Sequence, residues 1–266
     1  MDNCLLYKYR SWGRQHDRDN LLKRQLYFSS PKDMNDPFDF KIPPNFALLN
    51  NEELIQLYFN EGISKFTDEQ VSKMGGVEEM QRKMAIAFKT DLPKTQKDYE
   101  SNSFPTIDRH FGVICLSHVW DSVLMWSHYS DKHTGFCLGF DQKLLLETCK
   151  FGSQGDVQYD HFPNISPLAA NDPETIIKQS FFKAPGWEYE GEYRIVKLEY
   201  PDELSHEMRI HLYPDECLRE IILGLQISDE DRADLKKIAS KRKIPIYQVQ
   251  KVPLSFNLER QQISHD

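Results

Sequence analysis

WEYEGEYRIV, residues 187–196, packs three glutamates, two tyrosines, a tryptophan and an arginine into ten positions. In an extended strand successive side chains point to opposite faces. Glu188, Glu190, Glu192 and Arg194 then share one side, and Trp187, Tyr189 and Tyr193 the other. Two readings stand. The acidic side is a solvated strand face, with Arg194 partly neutralising its neighbours. Alternatively, crowded like charges raise one another's pKa and attract a cation, which suits a general base or a stabiliser of developing positive charge. Gly191 allows a bulge that re-aims one carboxylate.

Working outward, the strand EYRIVKLEY (192–200) joins others at FGVICLS (111–117), TGFCLGF (134–140), DVQY (156–159), MRIHLY (208–213) and PIYQV (245–249). Helices at 122–129, 173–182 and 229–241 fall among them, the last with an acidic start and a basic end that suit its dipole. These helices do not alternate with strands as βαβ units require, so the expected fold class is α+β on a mixed or mainly antiparallel sheet. Upstream, LLYKYRS (5–11) reads as a strand and residues 18–25 as a short helix. QLYFSS (25–30) reads as a strand stopped by Pro31, and PKDMNDPFD (31–39) as loop chemistry. We expect one domain over residues 1–266 carrying a helical insertion over 51–104. Helical spacing runs to about residue 90, and the polar stretch 91–108 reads as a linker. The tail from Leu258 reads as frayed.

Hydrophobic residues make up 39% of the 266-residue chain and aromatics 12%, enough for a sizeable core and unlike the composition of disorder. A net charge of −8 supplies no global positive field toward nucleic acid or anionic lipid. No apolar run approaches the ~20 residues of a membrane span. The N-terminus has no leader pattern, and the five scattered cysteines form no CxxC pair. A reduced, cytoplasmic setting is expected, with Cys115 and Cys137 as small buried hydrophobes. Common nucleotide, zinc-protease and serine-hydrolase motifs are missing from the sequence.

Two further polar groups accompany the opening stretch. Over 122–129, Met125 and Tyr129 lie four apart on one helix face, as do Ser122 and Trp126, with His128 at the edge of the apolar stripe. His118, His128 and His133 match no zinc spacing, and no metal is expected from them. Ser29, Ser30, Asn35, Asp36 and Asp39 end a strand and its loop. They either cap turns or hold a polar ligand.

LYKYR (6–10), LYFSSPKDMNDPFD (26–39), CLSHVWDSVLMWSHYSDKHTGFCLGFD (115–141), WEYEGEYRIV (187–196) and LREIILG (218–224) occur in this order. The series resembles the signature blocks of the bacterial domain-of-unknown-function family numbered 2971. More distantly, the order is similar to that of ADP-ribosyltransferase-like proteins, with an early basic strand, a central Ser or Tyr strand and a late Glu. That resemblance implies NAD as substrate and a toxin or phage-defence effector, with Glu192 as the catalytic carboxylate and Glu190 in reserve. Trp126 or Tyr129 would stack on nicotinamide, and His128 would bond to ribose or phosphate. Lys8 or Arg10, beside Tyr9, would hold the pyrophosphate, and Ser29, Ser30, Asn35 and Asp36 would complete the polar wall. The first strand carries Lys and Tyr where such transferases carry His or Arg, and the acceptor and oligomeric state stay open. Two other classes remain in view. One is a non-catalytic binding module, and the other is a phosphodiesterase using Asp36, Asp39 and Glu192 around a divalent cation.

Overall fold

The computed structural model describes residues 4–149, 152–170 and 172–265. In chain order the strands are β1 (Leu5–Arg10), β2 (Gln25–Tyr27), β3 (Phe111–Ser117), β4 (Phe136–Asp141), β5 (Ser153–Asp156), β6 (Gln158–Tyr159), β7 (Phe182–Lys183), β8 (Glu192–Leu198), β9 (Ile210–Leu212), β10 (Leu218–Leu223), β11 (Ile246–Lys251) and β12 (Leu258–Gln262). The helices are α1 (Gln15–Leu22), α2 (Glu52–Ile63), α3 (Asp68–Lys73), α4 (Val77–Thr90), α5 (Leu92–His110), α6 (Val123–Tyr129), α7 (Gln142–Thr148), α8 (Pro173–Gln179) and α9 (Asp229–Arg242).

Eight strands form one sheet in the order β12-β11-β10-β4-β1-β3-β8-β5. Every pairing in it is antiparallel except β10 with β11, which α9 connects. The fold is therefore α+β on a mainly antiparallel sheet. Alternation along the strands sorts their side chains. Ile114, Leu138, Tyr193, Ile195 and Ile221 enter the largest core cluster with Leu235 and Ala239 of α9 and Leu145 of α7. Tyr7, Tyr9, Cys137 and Ile222 project the other way and pack with Met125 and Trp126 of α6.

One seam in this sheet is incomplete. β1 and β3 pair only at Tyr7 with Ser117, whereas a continued ladder would set Tyr9 against Cys115. On its other edge β1 pairs with β4 along its whole length, and β3 does so with β8. The sheet thus divides into two well-knit halves that diverge between β1 and β3.

Away from residues 187–196, three segments depart clearly from the sequence reading. Residues 91–108 are not a linker but most of the 19-residue α5. Asp91 accepts the Lys94 N–H at 3.1 Å, Pro93 lies in the first turn where no N–H is needed, and Leu92 and Tyr99 pack with Phe46 and Phe88. Leu258–Gln262 is not a frayed tail but β12, hydrogen-bonded to β11 over five residue pairs. MRIHLY contributes only β9, which pairs with β2 outside the main sheet. No helix among the described residues is long and apolar enough to cross a membrane.

Candidate functional site

Only the second half of WEYEGEYRIV is extended. Pro185–Glu190 is a 3-10 turn, and β8 begins at Glu192. Between them Gly191 takes φ 49°, the left-handed region that a residue without Cβ enters at little cost. The strand reading of residues 187–191 is thus corrected. The turn exposes Glu188, while Glu190 and Glu192 are 3% and 5% exposed. Ser117 Oγ donates to the Glu190 carbonyl at 2.6 Å and the His118 N–H to the Gly191 carbonyl at 2.8 Å, which fixes the turn against the end of β3. From Glu192 onward the expected alternation holds. Tyr193 and Ile195 enter the core, and Glu192 and Arg194 face the other way.

Five charged side chains meet there out of solvent. Arg194 donates to both Glu192 oxygens at 2.8 and 3.0 Å, to Asp39 at 2.8 Å and to the Ser180 carbonyl at 2.6 Å. Lys183 donates to Glu190 and, at 3.1 Å, to Glu192, with Asp39 at 3.7 Å. Tyr129 Oη donates to the second Glu190 oxygen at 2.5 Å and accepts from Asn35 Nδ2 at 2.9 Å. Pairing of this kind is what makes buried charge tolerable.

The two glutamates part in proton affinity. Burial pushes Glu192 up, but Arg194 and Lys183 outweigh it and hold the carboxyl at about 2. Burial raises Glu190, and Lys183 and Tyr129 offset that only in part. Asp39 is likewise raised by burial despite Arg194 and Lys183. The cations depress Glu192 while burial raises its neighbour Glu190, and paired acid and base groups are commonly set apart in this direction.

Asp39, Lys183, Glu190 and Glu192, backed by Arg194, form one wall of a cavity of about 230 Å3 that opens where β1 and β3 part. Lys8, Tyr9 and Arg10 of β1 line the opposite side, with Ser29, Asn35, Cys115, Met125 and Tyr129 between. Lys8 spans the gap, its ammonium donating to the Cys115 carbonyl. Burial and the neighbouring Arg10 lower Lys8 to about 8. Arg10 is anchored by Asp17 at 3.1 Å and Asn20 at 2.7 Å. Ser122 caps α6, accepting the Met125 N–H at 3.3 Å, and the i, i+4 spacing aims Met125 and Tyr129 into the cavity.

Of the residues singled out from sequence, Lys8, Tyr9, Arg10, Ser29, Asn35, Tyr129, Glu190 and Glu192 meet at this cavity. Four do not. Trp126 is fully buried, stacks edge-on to Tyr9 at 5.1 Å and gives its Nε1–H to the Trp120 carbonyl, so it has no face for a nicotinamide ring and supports Tyr9 instead. His128 is exposed beside the Tyr189 hydroxyl, 3.3 Å away, outside the lining. Ser30 Oγ is committed to the Asp108 carbonyl. Asp36 turns onto the Phe38 N–H at 2.9 Å, while Asp39 and Glu192 are held by Arg194, so these three do not form an oxygen cage for a cation. Among the described residues no group of three or more His, Cys, Asp or Glu is arranged to hold a metal ion.

Lys183 was missed by sequence reasoning. Its signal was present: a single lysine inside the otherwise uncharged SFFKAPGW, seven residues before Glu190. A lysine drawn indoors by its neighbours needs a carboxylate.

Residues 125–195 match the model of DUF2971, a protein family of unknown function. That stretch holds Tyr129, Lys183, Glu190 and Glu192 of the cavity lining and Arg194 paired behind Glu192. No curated protein and no solved structure matches the chain.

Proposed function

We propose that this cavity binds the nicotinamide-ribose end of NAD and cleaves its N-glycosidic bond, transferring ADP-ribose to water or to an acceptor. The observation that carries the reading is the opposed pair of walls across the parted strands. Asp39, Glu190 and Glu192 on one side outnumber Lys183 and the Arg194 paired behind them, and Lys8 and Arg10 stand on the other. A surplus negative charge suits a pyridinium ring and the oxocarbenium ion that forms as it departs, and the two cations suit phosphate.

In this scheme the C1′–N bond breaks and its electron pair neutralises the nicotinamide nitrogen. Glu192, locked by Arg194 and Lys183, acts as a fixed negative charge beside the ribose and carries no proton. Glu190, raised by burial, takes the proton of the attacking hydroxyl, and Tyr129 and Lys183 steady it before and after transfer. A 230 Å3 cavity lies below the ~300–1,000 Å3 of pockets that enclose a drug-sized ligand, so it takes one end of the dinucleotide.

The test is nicotinamide release from NAD by the purified protein. Glu192→Gln, with its fold verified by circular dichroism, is expected to lose ~10²–10³ in turnover, the size of effect seen when one preorganised electrostatic group is removed. Cleavage at the wild-type rate would take Glu192 out of the role. The dense mutual pairing of Asp39, Glu192 and Arg194 supports a second reading, a non-catalytic nucleotide-binding module. NAD binding without nicotinamide release would select it.

A further inference from the structure

Asp39 and Lys183 have a second side. Beyond them lies another cavity, of about 270 Å3, walled by Phe38, Ile42, Phe162 and Phe182. Asp39 and Lys183 line both cavities, so the two adjoin at this ion pair, whose charged groups lie 3.7 Å apart, and a ligand occupying both runs alongside the pair rather than between its members. Phe38 is 64% and Phe162 58% exposed. Two aromatic rings left open on the lining of one pocket are a ready stacking surface rather than core. The polar groups beside them are mainly acceptors. Asp36 and Asp160 each give one oxygen to a nearby backbone N–H, at 2.9 and 2.6 Å, and keep a second for a ligand. The matching occupant is a flat ring with N–H donors on its edge, joined to a polar stem that reaches the first cavity.

We propose that this second cavity is the base subsite of a dinucleotide, taking an amino-bearing nucleobase against Phe38 and Phe162 with the Asp160 and Asp36 carboxylates at its edge. The inference rests on the nucleotide reading of the first cavity and extends it to the far half of the same ligand.

Isothermal titration with NAD, nicotinamide mononucleotide and AMP tests it on the wild type, Phe38→Ser and Phe162→Ser. Both rings are largely exposed, so the variants are expected to fold, which circular dichroism checks. NAD is expected to bind the wild type at least about tenfold tighter than the mononucleotide, and each serine variant to weaken NAD and AMP by about five- to hundredfold, the usual worth of one aromatic stack. Mononucleotide affinity stays unchanged in those variants. NAD and AMP affinities that ignore both substitutions would overturn the subsite. Nicotinamide release measured on the same samples separates the two readings. Phenylalanine-dependent NAD binding without cleavage refutes the chemistry and leaves the subsite standing, and cleavage with phenylalanine-independent affinity refutes the subsite alone. No binding of NAD or AMP at millimolar concentration overturns both.

Discussion

Around the start of β8, Asp39, Lys183, Glu190, Glu192 and Arg194 are each no more than 7% exposed and form ion pairs with one another inside the protein. Across the helices α2 to α5, charge is arranged the opposite way. Lys73–Glu69, Arg82–Glu79 and Lys89–Glu52 pair on the surface, and α3 and α4 bury no residue at all. A surface pair is screened and gains little. A buried one costs several kcal/mol of desolvation per ion, and replacing it with apolar residues is often neutral or stabilising. The sheet's wall is therefore an expensive arrangement for stability alone, which is the physical ground for placing the proposed site there.

Arg194→Met should break this contrast most sharply. It strands Glu192 and Asp39 in the interior, and a loss of about 3–5 kcal/mol in urea unfolding is expected. A loss below 1 kcal/mol would mean that the wall is wetter than its burial indicates.

Glu192→Gln sharpens the same point through pH. The Glu192 carboxyl is depressed in the folded state from 4.5 to about 2, so its stabilisation is present above the unfolded value and is lost as pH falls through the folded one. The stability gap between wild type and Glu192→Gln should be full above about 4.5 and close as pH falls toward about 2. A gap independent of pH would contradict the Arg194 and Lys183 pairing as its source.

The lysines of the cavity offer a finer comparison. Burial and Arg10 lower Lys8 to about 8, while the surrounding carboxylates raise Lys183 in spite of its burial. Amine labelling read by mass spectrometry should modify Lys8 with a midpoint near 8 and leave Lys183 unmodified over the same range. NAD affinity should weaken as pH rises through that midpoint. Equal labelling of both would erase the distinction. The smallest effect is expected in the insertion, where Glu79→Gln, removing the surface partner of Arg82, should leave the unfolding midpoint where it was.

What could be read in advance follows the same division. β3 was legible as a run rich in β-branched and aromatic residues bounded by a turn, and the start of β8 by its period-two alternation, from which the facing of Glu192, Tyr193 and Arg194 followed. The 3-10 turn before Gly191 was not, because its aromatic and acidic residues also alternate by chance. α5 was hidden by its Lys, Asp, Ser and Pro content, and only its apolar contacts made by Leu92, Tyr99 and Ile107 reveal a helix. Trp126 and Tyr129 looked equivalent in sequence, yet one turns into the core and the other into the cavity. The parting of β1 from β3, which creates the cavity, has no local signature, since it depends on how two distant strands meet.

The most direct measurement is the thermal unfolding midpoint of the purified wild-type protein with and without millimolar NAD. A ligand that binds only the folded state stabilises it by mass action, about 2.7 kcal/mol at a hundredfold excess over Kd, which is several degrees for a chain of this size. The account predicts such a rise. An unchanged midpoint at millimolar NAD would contradict it.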